Sequence, residues 1–110
     1  MGVTKTEQFT DKQNRMASLL KALAHPARVA IVEHLLHTRA CICGDLVIEL
    51  PLSQPTVSQH LKELKNAGII QGTVEGTSVC YCLKEESITE LYNFLKQITE
   101  TLKIQNSNCC

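Results

Sequence analysis

Hydrophobic residues recur along this chain with two periods, which predict several amphipathic helices and one short pair of strands. The helical period predicts helices over residues 8–24, 27–37, 44–50 and 86–103. The side chains expected to face the core are Met16, Leu19, Leu20 and Leu23 in the first helix, Val29, Ile31, Val32, Leu35 and Leu36 in the second, Leu46, Val47 and Leu50 in the third, and Ile88, Leu91, Phe94, Leu95, Ile98 and Leu102 in the last.

A further amphipathic helix is predicted between the third helix and the strands. Val57, Leu61 and Leu64 recur at i, i+4 and i+7 and form one apolar stripe. Ser53 stands at the N-cap position, where its hydroxyl is expected to accept from a first-turn amide. Gly68 is expected to end the helix in the left-handed conformation.

The face opposite this stripe carries short hydrogen-bonding side chains and one cation. Its candidate residues are Ser53, Gln54, Thr56, Ser58, Gln59, His60 and Lys62. Such side chains read base edges and bind phosphates, although an ordinary solvated helix face is also polar. We expect Ser58 and Gln59 to contact bases and Lys62 to contact a phosphate, while His60 faces either DNA or the core.

The period changes to two after this helix. Ile70 and Val74, then Val79, Tyr81 and Leu83, alternate around a turn that contains a glycine, which predicts a β-hairpin. Two short helices joined by a turn and followed by a hairpin make a winged helix-turn-helix. We therefore expect one mainly α domain with a small β-hairpin, with its core over residues 8–104 and a cysteine-containing tail over 105–110.

The apolar stripe of the last helix is long for a terminal helix in a domain of 110 residues. Together with the first helix it would leave apolar surface exposed on a monomer. A symmetric homodimer through the first and last helices would bury that surface.

Charge and composition narrow the class of protein. Residues 1–66 hold eight basic and six acidic residues, and residues 67–110 hold three and five, so the net charge is zero and there is no basic stripe. Affinity for DNA is then expected to depend on local cations and on doubling of the site in a dimer.

No apolar run approaches the roughly 18 residues of a membrane span, and residues 1–7 have no apolar signal region. We expect a cytoplasmic protein without a membrane partner.

The six cysteines form three close pairs: Cys41/Cys43, Cys80/Cys82 and Cys109/Cys110. A secreted disulfide framework usually spreads its cysteines to close long loops. Paired thiols in a reducing compartment more often bind metal or sense redox state.

Four segments together resemble the ArsR/SmtB family of metalloregulatory repressors over roughly residues 14–100. They are Leu-Ala-His-Pro-Ala-Arg at 23–28, Cys-Ile-Cys at 41–43, Leu-Ser-Gln-Pro-Thr-Val-Ser-Gln-His-Leu at 52–61 and Tyr-Cys-Leu at 81–83. The resemblance implies a dimeric winged helix-turn-helix that binds double-stranded operator DNA and represses transcription until an inducer releases it. No cofactor is then required.

The resemblance to arsenite-responsive members centres on Cys41 and Cys43, where those proteins have the pattern Cys-Val-Cys-Asp-Leu-Cys. This chain departs from the pattern, because Gly44 is inserted and Val47 stands in the place of the third cysteine. The last helix, over residues 86–103, has no His or Asp, so the site of zinc-responsive members is not expected there.

Soft thiolates select thiophilic ions, and the expected inducer is trivalent arsenic, trivalent antimony or a similar ion. Cys41 and Cys43 are the expected ligands, and Cys109 or Cys110 supplies the third thiolate. Residues two apart do not face each other on a helix, so ligation by the first pair requires extended or unwound backbone at the start of the third helix.

Three alternatives stay open. Cys41 and Cys43 could be small buried apolar residues. Cys80 and Cys82, which share one face of the second strand of the predicted hairpin, could be passive rather than a second thiol pair. Oxidation or persulfidation of the thiols could replace metal as the inducing event. A metal-buffering or arsenic-processing enzyme is disfavoured, because no convergent set of catalytic polar groups appears beyond the thiols.

Overall fold

The computed structural model describes residues 8–37, 42–43, 50–76 and 78–106. Its elements in chain order are α1 (Asp11–Leu23), α2 (Pro26–Leu36), β1 (Ile42–Cys43), α3 (Gln54–Asn66), β2 (Ile70–Glu75), β3 (Ser78–Leu83) and α4 (Glu85–Gln105). The helix predicted over residues 44–50 lies outside the described residues except for its last position.

The helices begin with different caps. At α1, Thr10 and Gln13 form a capping box, in which each side chain accepts from the other residue's amide at 3.0 Å. Ser53 is the N-cap residue of α3, as predicted, but its side chain makes no capping bond. Its hydroxyl lies 3.0 Å from that of Thr56, so the expected bond to a first-turn amide is wrong.

Helix α3 ends at Asn66 with Ala67 as its C-cap, and Gly68 follows in the left-handed conformation, as the sequence predicts. Gly68 has φ of 83°, a conformation that residues with a Cβ atom rarely adopt. The amide of Ile69 donates to the carbonyl of Leu64 at 3.0 Å, which is the outer bond of a Schellman motif. This sharp ending turns the chain directly into β2.

The strands form an antiparallel sheet in the order β1-β3-β2, with β3 in the centre. The predicted hairpin is confirmed: Ile70 pairs with Leu83 and Val74 with Val79, and Gly76 in the turn has φ of 64°. Strand β1 was not predicted, because two residues are too few to show a period. Its register places Ile42 opposite Tyr81 and Cys43 opposite Cys80.

The core joins all four helices to the start of β2. Its most buried aliphatic residues are Leu19, Ile31, Leu64, Ile69 and Ile70. The expected inward placement is wrong for Leu20, Val29 and Leu36, which are 41, 45 and 66% exposed. On α4, Leu91 is buried as expected, but Leu95, Ile98 and Leu102 are exposed in the single chain, so their expected inward placement is wrong there as well.

Arg15 of α1 joins the end of α3 to the start of α4. Its guanidinium donates to the carbonyl of Ala67 at 3.1 Å, to the Ser87 hydroxyl at 3.1 Å and to Glu90 at 2.9 Å. The Ser87 hydroxyl donates in turn to the carbonyl of Gly68. The hydrogen bond with Glu90 raises the pKa of Arg15 and lowers the pKa of Glu90. These contacts hold α3 in a fixed position against α1 and α4.

Candidate nucleic-acid interface

Helix α3 buries one face and presents the other to solvent. Val57, Leu61 and Leu64 are 3, 7 and 0% exposed, so the predicted apolar stripe is confirmed. The polar residues that the structure places on the exposed surface are Ser53, Gln54, Thr56, Ser58, Gln59 and Lys62. Six of the seven residues predicted for DNA contact are therefore accessible to a ligand.

Two hydrogen bonds organise this exposed face. The hydroxyls of Ser53 and Thr56 pair at its N-terminal end. One turn further along, the Gln59 amide nitrogen donates to the Glu63 carboxylate at 3.0 Å. That bond orients the Gln59 side chain along the helix and uses one of its two N–H groups, so the other N–H and the amide oxygen can still bind a base edge.

His60 lies on the inner side of α3, and the expectation that it belongs to the DNA-contacting set is wrong. Its side chain is 8% exposed, its Nδ1 accepts from the Arg28 guanidinium at 3.0 Å, and its ring lies 4.4 Å from that of His25. Burial, followed by the nearby charges of His25 and Arg28, lowers the pKa of His60. The imidazole therefore acts as a neutral acceptor that attaches α3 to α2.

Arg28 is the residue of this cluster that the sequence reasoning missed. Besides His60, its guanidinium donates to the carbonyl of Ala22 at 3.2 Å, so it contacts α1 and α3 from α2. In the sequence, residues 23–28 contribute only to the family resemblance. The sequence does show a cation, Arg28, at the third helical position after the N-cap residue His25. Its partner His60 is 32 positions away in α3, so the sequence alone does not reveal the contact.

The structure places the cysteines in distinct surroundings. Cys43 belongs to β1, while Cys41, Cys109 and Cys110 lie outside the described residues. Cys80 is 2% exposed and disulfide-bonded. Cys82 is a half-buried free thiol that accepts from the Gln71 amide at 3.7 Å. Among the side chains that the structure describes, no group of three or more His, Cys, Asp or Glu residues could hold a metal ion.

An apolar groove runs between α1 and α4. Met16, Ala17 and Leu20 line one wall, and Phe94 and Ile98 line the other. It continues into the exposed apolar residues of α4, which are the residues that the sequence analysis assigned to a dimer interface. No helix within the described ranges is long and apolar enough to cross a membrane.

Residues 25–71 match the model of the family described as bacterial regulatory protein, arsR family. The biofilm growth-associated repressor of Xylella fastidiosa is 33% identical over 92 residues, which are 84% of this chain and 80% of that protein. The chain belongs to the arsR family. The resemblance inferred from the sequence is thereby confirmed.

Other relatives agree with this assignment. The HTH-type transcriptional repressor SmtB of Mycobacterium tuberculosis is 44% identical over 73 residues, 66% of this chain, and the match spans about half of that relative, 53%. The solved structure of the transcriptional repressor BigR from Xylella fastidiosa matches with a TM-score of 0.60 and 32% identity, covering 89% of this chain and 96% of that one. Both relatives are named as transcriptional repressors.

The fold is also confirmed by comparison. An ArsR-like transcriptional regulator from Rhodococcus sp. RHA1 superimposes with a TM-score of 0.75 at 21% identity, covering 89% of this chain and 92% of that chain. At that identity the likeness concerns the winged helix-turn-helix fold alone. In a winged helix-turn-helix, the helix before the hairpin is called the recognition helix and the hairpin is called the wing; in this chain these are α3 and β2–β3.

Proposed function

We propose that this protein is a homodimeric transcriptional repressor that binds operator DNA through α3 and is released by trivalent arsenic, trivalent antimony or a similar thiophilic ion. The observation that carries DNA binding is the exposed face of α3. The side chains of that face can donate and accept hydrogen bonds. The opposite, apolar face of α3 is packed in the core, and Arg15 and Arg28 connect α3 to the three other helices. A rigid helix with one polar face suits docking in the major groove.

Each side chain on that face has a different expected role. Ser58 and Gln59 are proposed to contact base edges, and Lys62, an exposed cation, to contact a phosphate. Phosphate contacts supply affinity for every sequence, whereas base contacts discriminate between sequences. Base contacts and phosphate contacts can therefore be distinguished by experiment.

The test uses duplexes selected from a random pool by the wild-type protein and measures binding by fluorescence anisotropy at several salt concentrations. Gln59→Ala is expected to relax preference at one base pair by roughly 1–3 kcal/mol. Lys62→Ala is expected to weaken all duplexes alike and to reduce the salt dependence by about one phosphate contact. Lys103→Ala, an exposed cation of α4, is the control and is expected to change neither. Unchanged base preference in Gln59→Ala would refute the assignment of base contacts.

Dimerisation is proposed through the groove between α1 and α4. Leu95, Ile98 and Leu102 are 52, 43 and 53% exposed in the single chain, and a two-fold contact would cover them and the groove at once. The dimer would bind an imperfect palindrome with half-sites about one helical turn, roughly 10 bp, or a multiple of it apart.

Phe94→Asp is expected to give monomers, because it places a carboxylate in the proposed interface. Sedimentation equilibrium at micromolar concentration measures this, with circular dichroism to check that the variant folds. Tyr92→Asp is the control, since Tyr92 is 60% exposed and does not line the groove. A wild-type protein that is monomeric under these conditions would contradict the proposed dimer.

The inducer site is proposed at Cys41 and Cys43, with a third thiolate from Cys109 or Cys110. Positions two apart lie on the same face of a strand, so the extended backbone of Ile42–Cys43 supports ligation of one ion by the first pair. An ion held there would act on the segment that leads into the helix-turn-helix. A useful switch needs a coupling of about 1–3 kcal/mol between ion and DNA.

An arsenite titration of the protein–DNA complex, in excess reductant, tests this site. Cys41→Ser and Cys43→Ser should each bind the operator but fail to release it, and the double variant Cys109→Ser, Cys110→Ser should respond more weakly. Release of a Cys41→Ser, Cys43→Ser double variant at the wild-type arsenite concentration would move the site elsewhere. Release that occurs only after the reductant is withdrawn would favour the alternative, a thiol redox or persulfide sensor.

A further inference from the structure

Strand β1 brings a cysteine of the segment before the helix-turn-helix opposite a cysteine of the wing. Cys43 and Cys80 are Cα partners in the antiparallel pair of β1 and β3. Directly opposed residues of such a pair have Cα atoms about 4.5–5.5 Å apart. That separation falls within the range of roughly 4.4–6.8 Å that a disulfide bridges, so the backbone register itself is suitable for a disulfide.

The surroundings of Cys80 support this pairing. It lies in the central strand, is 2% exposed and is disulfide-bonded, whereas Cys82 on the same strand is a free thiol. Residues two apart on one strand are separated by about 6.6 Å, at the far end of the disulfide range. A bond from Cys80 to its cross-strand neighbour is therefore geometrically preferred over a bond to Cys82.

We propose that Cys43 and Cys80 form a reversible dithiol–disulfide site that responds to low-molecular-weight disulfides. One protein thiolate attacks a sulfur of the small disulfide, and the first small thiol leaves. The second protein thiolate then attacks the mixed disulfide, and the second small thiol leaves. The protein pair loses two electrons and two protons in total, and the small disulfide gains them.

The position of the bond in the chain gives it a consequence for DNA binding. A link from Cys43 to Cys80 closes a covalent ring that contains the whole of α3 and β2. The recognition helix and the wing can then no longer adjust independently to a DNA duplex, so the oxidised protein is expected to bind its operator more weakly. This consequence rests on the proposed function, whereas formation of the bond does not.

The test of the site itself needs no DNA. The full-length protein is equilibrated in glutathione buffers of graded ratio, trapped with acid and alkylating agent, digested and mapped by mass spectrometry. A peptide pair linking Cys43 to Cys80 is expected to form and to disappear reversibly as the ratio changes. A dominant link from Cys43 to Cys109 or Cys110, or from Cys80 to Cys82, would overturn the proposal, as would the absence of any link to Cys80.

Variants connect the bond to its effect. Cys43→Ser and Cys80→Ala should abolish the redox-dependent change in operator affinity, which is expected to be at least five-fold in the wild type. Cys82→Ser is the matched control on the same strand and should retain the change. If Cys80→Ala fails to fold, Cys43→Ser and the wild-type map still decide the question. A reversible Cys43–Cys80 bond with unchanged operator affinity would refute the effect on DNA binding while leaving the site in place.

Discussion

Replacement of Arg28 by alanine is expected to destabilise the fold by about 2–3 kcal/mol. Arg28 donates to His60 Nδ1 at 3.0 Å and to the Ala22 carbonyl at 3.2 Å, and both acceptors belong to buried residues. A hydrogen bond that involves a charged group contributes roughly 1.5–3 kcal/mol. Arg28 is itself half-buried, so solvent compensates part of the loss. The two bonds together are therefore expected to contribute about 2–3 kcal/mol rather than twice the value of a single bond.

Urea unfolding followed by circular dichroism measures this change. All variants are compared at one protein concentration, since a dimer's stability depends on it. The midpoint should fall with an unchanged denaturant slope. Lys21→Ala, an exposed cation of α1, is the control and should stay within about 0.5 kcal/mol of the wild type.

The titration of His60 provides a second, independent measurement. The charge of Arg28 contributes to lowering the pKa of His60, so proton NMR of Arg28→Ala should show a higher His60 pKa than the wild type. A loss of stability below about 0.5 kcal/mol, within the range of ordinary surface substitutions, together with an unchanged His60 pKa, would refute the role assigned to this arginine.

Two further predictions concern the ends and the packing of α3. The folded-state pKa of His60 is lowered from 6.5, so its contribution to the free energy of unfolding is complete above pH 6.5 and is lost as pH falls through the lowered pKa. Denaturation measured between pH 8 and 5 should therefore show a loss of stability toward low pH. His60→Gln should reduce that loss, whereas the control His37→Gln should not. Gly68→Ala should cost about 1–2 kcal/mol, because φ is 83° while an added Cβ would meet Arg15 only at an ordinary 3.6 Å. Gly68→Asn should recover part of that loss, since asparagine tolerates the left-handed region; equal thermal stability of wild type and Gly68→Ala would contradict this.

The sequence by itself determined which faces of the local elements are apolar. The stripe of Val57, Leu61 and Leu64, the alternation along the hairpin and the position of Gly68 all follow from residues close together in the chain. For such features the helical or strand period decides which side chains share a face, and burial of that face follows from the hydrophobic effect. The wing and the recognition helix could therefore be predicted without coordinates.

Only the tertiary structure decided which partner each buried polar residue and each cysteine has. His60 turns inward because Arg28, 32 positions earlier, offers a donor, and an imidazole near the edge of an apolar stripe is compatible with either face until that partner is known. Cys43 is the Cα partner of Cys80 because the two residues of β1 pair with the edge of β3, and a pairing this short leaves no period in the sequence. Periodicity specifies a face, but the partner that satisfies a buried polar group or opposes a thiol comes from a distant part of the chain, and chain packing alone brings the two together.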